Sequence, residues 1–350
     1  MSTLEEVLLT RHRLSEYHVY RASPTKEHIH ITPFRDSTKE PGSNSRSQGH
    51  LSSFDYANPA CNNKSTDVEN GSWFVHRPLL SWHDPPRTLR RGDTKHGEPV
   101  CVINSRAFWR EWNIQFSSQL SRIIDPRGLV RWENHSSRSN DNNSKTADEC
   151  AFKGYKVRTW RSWGESGKEY HRQVNLHRKN LHEKGKEGRE KEKEEEERLD
   201  PVTADEAIQL SWSAPFSGHT RRYEFSYASI NFFWEGTRDI PIEGSQDKWA
   251  RRLMPFSHLK LMAAMPNGEK VFVGQFVCSF GPMKFGRLWI FDSVLERLLD
   301  ESEEKMGEKG DARKTRLYDL VMATAMCMVI GEWQKRMMVQ LVCLLLLNGL

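Results

Sequence analysis

The chain has 350 residues, of which 37% are hydrophobic and 28% charged, and its mean hydropathy is −0.74. This composition allows a sizeable core but indicates that part of the chain stays outside it, while 12 Trp and 16 Phe indicate aromatic packing in the remainder. The net charge of +5 excludes strong whole-molecule attraction to a polyanion, so any affinity for anions must come from a local patch.

The N-terminal part of the chain predicts neither a signal peptide nor a folded unit. Its first residues lack the basic and apolar regions of a secretory signal, so we expect an intracellular protein, either cytoplasmic or peripheral to a membrane. Ser, Asn, Lys and Pro with scattered His predict a largely disordered arm over residues 1–70. The six cysteines form no CxxC pair, which favours free thiols over disulfides or a zinc site.

From residue 71 to residue 336, short aromatic and β-branched runs alternate with Gly, Pro and Asp turns, and this texture predicts one β domain. Two segments, 134–149 and 178–200, are rich in Ser and Asn or in mixed charge and predict flexible insertions. We expect twelve strands, at Trp73–Leu80, Val100–Asn104, Glu111–Phe116, Leu129–Glu133, Tyr155–Trp163, Glu169–Leu176, Ala207–Trp212, Arg222–Tyr227, Ile230–Trp234, Leu259–Ala264, Val271–Ser279 and Arg287–Phe291.

A helix is predicted over Thr315–Arg336, and its segment Leu320–Ile330 is apolar on every face. Such a helix must be surrounded completely, which a closed barrel achieves, as in the eleven-stranded cans that enclose a central helix. About 17 to 20 helical residues match the length of an eight-residue strand. The predicted fold is therefore mainly β, an antiparallel barrel of about twelve strands enclosing a hydrophobic C-terminal helix.

Two alternatives for this helix remain open, namely an ordinary core helix between layers and a membrane segment. A membrane span needs about 20 apolar residues, whereas charged and polar residues interrupt this run after residue 331. The tail 337–350 is again apolar but too short to span a bilayer by itself. We expect no transmembrane span.

Three segments carry a resemblance to a known family: YEFSYASINFFWEGT (Tyr223–Thr237), WARRLMPFSHLKLMA (Trp249–Ala263) and FGRLWIFD (Phe285–Asp292). With the C-terminal hydrophobic helix, they resemble the tubby C-terminal-like superfamily, which includes LURP-one-related proteins and phospholipid scramblases, in a fungal-type branch. The resemblance implies a twelve-stranded barrel threaded by its C-terminal helix and binding of anionic lipids. The family's phosphoinositide-contacting residues do not align to positions of this chain, so none is transferred.

Basic residues interleave with aromatic ones between Tyr155 and Arg172, which predicts a hairpin that bears a cationic patch. Two of the cations share a face of the first predicted strand, whereas the third breaks the alternation and needs a bulge or the end of the hairpin to join them. Such a patch can hold an inositol phosphate by charge-assisted hydrogen bonds, and the alternative is a solvated strand face. The predicted ligand residues are Lys156, Arg158, Arg161, Lys168 and Arg172.

Other site classes are disfavoured by the sequence. The Gly-Lys of segment 163–169 lacks the following Ser or Thr of a phosphate-binding loop, and no HExxH or GxSxG occurs. Nucleic-acid binding is disfavoured because no reader module is recognisable. We therefore predict no enzyme, cofactor or metal, but a non-enzymatic module that binds anionic phospholipid (phosphoinositide) headgroups at a membrane surface. The alternative function is a protein-interaction scaffold.

Overall fold

The computed structural model describes residues 13–23, 26–39, 71–78, 85–105, 111–134, 149–155, 168, 170–176, 179–180, 201–212, 222–237, 258–266, 268–279, 283–301 and 311–347. The strands are β1 Leu14–Ser23, β2 Lys26–Thr32, β3 Trp73–His76, β4 Arg87–Arg91, β5 Glu98–Ser105, β6 Glu111–Phe116, β7 Glu206–Trp212, β8 Arg222–Tyr227, β9 Ile230–Thr237, β10 His258–Ala264, β11 Lys270–Cys278 and β12 Lys284–Phe291. The α-helices with defined bounds are α1 Leu120–Ile123, α2 Asp292–Glu301 and α3 Arg316–Leu347.

The twelve strands form one closed antiparallel barrel, in which each strand pairs with its neighbours in sequence and β1 closes the sheet against β12. Alternation of side chains builds this sheet: in β8, for example, Tyr223, Phe225 and Tyr227 are buried while the residues between them are exposed. The predicted fold class, a mainly β protein with an antiparallel barrel of about twelve strands, is confirmed.

The structure differs from the sequence-based prediction in which segments supply the strands. Nine of the observed strands, β3 and β5 to β12, overlap predicted ones. The others are β1, β2 and β4, and the first two lie in the segment predicted to be a disordered arm. Among the described side chains of β2, Ile29 and Ile31 are the buried ones and His28 and His30 alternate with them, so the apolar pattern is too short to predict a strand.

Three predicted strands have no counterpart among the observed ones. In segment 129–133, Val130 forms an isolated bridge with Ile124 and a 3-10 helix begins at Trp132. Residues 170–176 are helical, and of segment 155–163 only Tyr155 belongs to the described part of the chain, where it lies outside any strand. The predicted insertions, 134–149 and 178–200, lie almost entirely outside the described residues.

Helix α3 contacts the barrel at its first turns through polar and aromatic pairs. The hydroxyls of Tyr17 on β1 and Tyr318 are 2.8 Å apart, and the ring of Trp73 on β3 stacks on Tyr318 with centroids 5.7 Å apart. Arg91, at the end of β4, donates from Nη2 to both carboxylate oxygens of Asp319, at 2.9 and 2.8 Å. The start of α3 thus lies at the end of the barrel where β4 ends.

Farther along, α3 contacts strands on other sides of the closed sheet. Trp234 Nε1 on β9 donates to Thr324 Oγ1 at 3.1 Å, and the Tyr223 hydroxyl on β8 donates to Glu332 at 2.7 Å. The residues from Leu317 to Ile330 are all buried, and none is more than 7% exposed. These contacts join α3 to β8 and β9, and the enclosure of the helix by the sheet stays a prediction. In the described part of the chain, no helix is long and apolar enough to cross a membrane.

Candidate anion-binding site

A pocket of about 380 Å³ lies on the outside of the barrel, at the end where β4 ends. The turn between β4 and β5 forms one wall, and the chain that follows β6 forms the other. Its basic lining residues are Arg90, Lys95, His96 and Arg131, and its acidic ones are Glu98 and Asp125. We call this cavity the β4–β5 pocket.

Arg90 is the buried cation of the β4–β5 pocket. Only 8% of this residue is exposed, and its guanidinium donates from Nε to Thr88 Oγ1 at 3.2 Å and from Nη1 to the Gly97 carbonyl at 3.1 Å. Burial lowers the pKa of Arg90 to about 10. Both acceptors are neutral, and no carboxylate among the described residues forms an ion pair with Arg90. Among the described residues, two neutral acceptors therefore hold the guanidinium in place and no acidic group compensates its charge.

The carboxylate of Asp125 does not supply that compensation, because it is occupied within its own turn. Asp125 forms an ion pair with Arg127, whose Nε lies 2.7 Å from Oδ2. The same carboxylate accepts hydrogen bonds from the backbone N–H groups of Arg127 and Leu129. The ring of Tyr170 covers the Arg127 guanidinium, with 3.9 Å between the guanidinium carbon and the ring centroid. The Asp125–Arg127 pair thus shapes the wall of the pocket without neutralising Arg90.

A histidine pair lies behind the β4–β5 pocket, on β2 and β3. The rings of His28 and His76 have centroids 4.9 Å apart. Burial, followed by the nearby His28 and Arg90, lowers the pKa of His76 to about 2, so His76 is neutral at physiological pH. Gly128 approaches this ring so closely, at a φ of +81°, that a Cβ there would clash with His76 Nδ1.

The structure places only part of the predicted ligand residues. Lys168 and Arg172 are exposed, and residues 170–176 form a helix, so the predicted second strand of the hairpin is wrong. Gln173, next to Arg172, lines the β4–β5 pocket. The other three predicted residues, Lys156, Arg158 and Arg161, lie outside the described residues.

Sequence reasoning missed Arg90, Lys95 and Arg131 as site residues. A local signal was present for the first two, since the run Arg87–Gly97 contains basic residues on both sides of a Gly-Asp turn. Arg131 carried no such signal, because its position beside the β4–β5 turn depends on how the chain after β6 folds back. Over the described part of the chain, no group of three or more His, Cys, Asp or Glu residues can hold a metal ion.

No family model, no curated protein and no solved structure matches this chain. The resemblance to the tubby-like superfamily therefore stays a prediction.

Proposed function

We propose that this protein is a non-enzymatic module that binds anionic phospholipid headgroups, with the β4–β5 pocket as the binding site. The observation that supports the proposal is the state of Arg90. Its Nε and Nη1 are used by neutral acceptors, and its Nη2 has no partner among the described residues. A phosphate oxygen would give this group a charge-assisted hydrogen bond, the strongest class available to a guanidinium.

The energetics of burial favour the same ligand. A buried cation without a counter-ion is costly, because water no longer solvates it fully. An anion that enters the pocket would offset part of this cost and would also interact with Lys95 and Arg131 on the rim. The ligand therefore gains from a charge arrangement that is unfavourable when the pocket holds only water.

The volume of the pocket supports a ligand of the size of a lipid headgroup. About 380 Å³ lies at the lower end of the range of about 300–1,000 Å³ that small-molecule sites occupy. This volume fits a phosphorylated ring and is small for a pair of acyl chains. We infer that the headgroup enters while the rest of the lipid stays in its bilayer.

Flotation of the full chain with vesicles tests the proposal. We expect binding to phosphatidylcholine vesicles that contain a phosphoinositide, and competition by a soluble inositol phosphate that carries the same headgroup. The double variant Lys95→Ala, Arg131→Ala should weaken this binding about tenfold or more, which corresponds to about 1.4 kcal/mol. Lys270→Ala is the matched control, because this exposed lysine lies on β11, across the closed sheet from β4.

Two further arms separate the alternatives. The triple variant Lys156→Ala, Arg158→Ala, Arg161→Ala tests the residues that the sequence predicted. A loss of binding with this variant and none with the pocket variant would move the site to the segment before Lys168. No binding of the unmodified protein to any anionic lipid or inositol phosphate would contradict the proposal and favour the protein-interaction scaffold.

A further inference from the structure

The point where α3 leaves the barrel is marked by Trp333. Its ring contacts Phe285, at the start of β12, with centroids 6.3 Å apart, and Arg21, near the end of β1, lies 4.5 Å above it. These strand ends lie at the opposite end of the barrel from the Arg91–Asp319 pair. Beyond Trp333 the helix continues to Leu347.

This last part of α3 exposes large apolar side chains. Met337 is 49% exposed, and Leu344, Leu345 and Leu346 are 56%, 43% and 71% exposed. Three consecutive helical residues point about 100° apart, so these leucines alone cover about 200° of the circumference. A groove on a protein partner covers a single stripe of a helix. Exposure on more than half of the circumference instead fits a surrounding that is apolar on all sides.

The sequence of the exposed part extends this pattern. No charged residue occurs between Met337 and Leu347, and Lys335 and Arg336 directly precede this stretch. Eleven helical residues span about 16 Å, roughly half of the 30 Å hydrocarbon core of a bilayer. Basic residues at the start of an apolar helix are placed to meet anionic headgroups.

We propose that the end of α3, residues 337–347, inserts into one leaflet of an anionic bilayer, with Lys335 and Arg336 at the level of the lipid phosphates. The occupant of this apolar surface is thus lipid, and neither a protein groove nor a second copy of the chain. The inference goes beyond the proposed headgroup site and does not depend on it. Asp319 and Trp333 are 14 residues apart along α3, so the tail emerges about 21 Å from the end where the β4–β5 pocket lies.

Flotation of the full chain with vesicles of phosphatidylcholine and phosphatidylserine, without phosphoinositide, tests insertion. We expect binding that persists in 1 M NaCl. At this salt concentration the Debye length is about 3 Å, so attraction between surface charges is screened, whereas the burial of apolar area is not affected by screening. The triple variant Leu344→Gln, Leu345→Gln, Leu346→Gln should reduce the bound fraction at least tenfold. Glutamine has nearly the helix propensity of leucine, so the helix itself should remain.

Two controls make the result specific. Phe34→Gln removes another apolar side chain, 62% exposed, and should leave flotation unchanged. Lys335→Gln, Arg336→Gln should weaken binding to anionic vesicles and leave binding to pure phosphatidylcholine unchanged. Thermal unfolding of every variant verifies that the barrel is intact.

The outcomes distinguish this inference from the proposed function. The leucine variant should still bind soluble inositol phosphate, and the Lys95→Ala, Arg131→Ala variant should still float with vesicles that lack phosphoinositide. Flotation of the leucine variant at the level of the unmodified protein would overturn insertion. A concentration-dependent dimer in light scattering without vesicles, abolished by the same three substitutions, would overturn it in favour of a second copy of the chain.

Discussion

Two histidines with lowered pKa values, His30 on β2 and His76 on β3, make the folded protein sensitive to acid. Burial lowers the pKa of His30 to about 4 and that of His76 to about 2, whereas an unfolded histidine titrates near 6.5. Between these values the unfolded chain binds protons that the folded chain does not. Folding is therefore favoured at neutral pH, and this part of the stability is lost as the pH falls below about 6.5.

We expect the free energy of unfolding to decrease by up to about 1.4 kcal/mol per pH unit for each of these histidines between pH 6 and pH 4. The measurement is chemical denaturation at several pH values. His76→Gln should lower overall stability, because it disturbs a packed site, but should also reduce the pH slope by the contribution of one histidine. An unchanged slope in this variant would show that His76 is protonated in the folded protein.

At the scale of elements, one hydrogen bond couples β9 to the middle of α3. Trp234 Nε1 donates to Thr324 Oγ1, and both residues are completely buried. Thr324 in turn donates to the Val321 carbonyl at 3.1 Å, one turn earlier in the helix. The threonine hydroxyl is thus the acceptor that allows an indole N–H to be buried against an otherwise apolar helix.

Thr324→Val keeps the shape of the side chain and removes this acceptor, so we expect a loss of about 1–3 kcal/mol in the free energy of unfolding. Denaturant titration measures the loss. A double-mutant cycle with Trp234→Phe isolates the pair, because the double variant leaves no buried N–H without an acceptor. Additive losses in the cycle would mean that the two side chains do not interact.

The individual elements also show how much of the fold can be predicted from the sequence. The apolar run Leu320–Ile330 predicts a surrounding barrel, and this prediction gives the fold class. Strands such as β8 show alternation of apolar and polar residues, so nine of the strands could be predicted from the sequence. Strands β1 and β2 could not be predicted in this way, because the histidines on their outward faces make the sequence look like that of a polar, disordered segment. In β4, Thr88 and Arg90 face outward yet are buried by the chain that follows β6, so no alternation was visible.

The candidate site was less accessible than the fold, for a physical reason. The lining residues Arg90, Arg131 and Gln173 come from three separate stretches, and only tertiary packing brings them together. Sequence reasoning chose the segment 155–172 instead, because basic and aromatic residues alternate there. Tyr170 lies in a helix of that segment, and its ring packs on Arg127 in the turn after α1. The aromatic side chain therefore does not belong to the face of a strand, as the alternation had suggested.

At the scale of the whole molecule, the β4–β5 pocket and the end of α3 lie at opposite ends of the barrel. One flat bilayer cannot meet both, since the two ends are separated by the part of α3 that runs from Asp319 to Trp333. Occupation of both would place the barrel between two membranes. The two proposals together therefore predict an activity that neither predicts alone.

We expect the full chain to cluster vesicles that contain a phosphoinositide, measured as an increase in particle size by dynamic light scattering. The Lys95→Ala, Arg131→Ala variant and the leucine variant should each bind such vesicles more weakly than the unmodified protein, through the remaining end, and should not cluster them. Lys270→Ala should cluster them normally. Clustering by the leucine variant would contradict the arrangement of the two ends.

Helix α3 is continuous from Arg316 to Leu347, about 48 Å in length, with no break between its buried and exposed parts. A force applied at Leu347 is consequently transmitted along the helix to the Tyr17–Tyr318 contact near its N-terminus. With residues 337–347 inserted in a leaflet as proposed, the same helix would hold the membrane and pack in the core, so force that detaches the protein would also strain the contacts between α3 and the barrel.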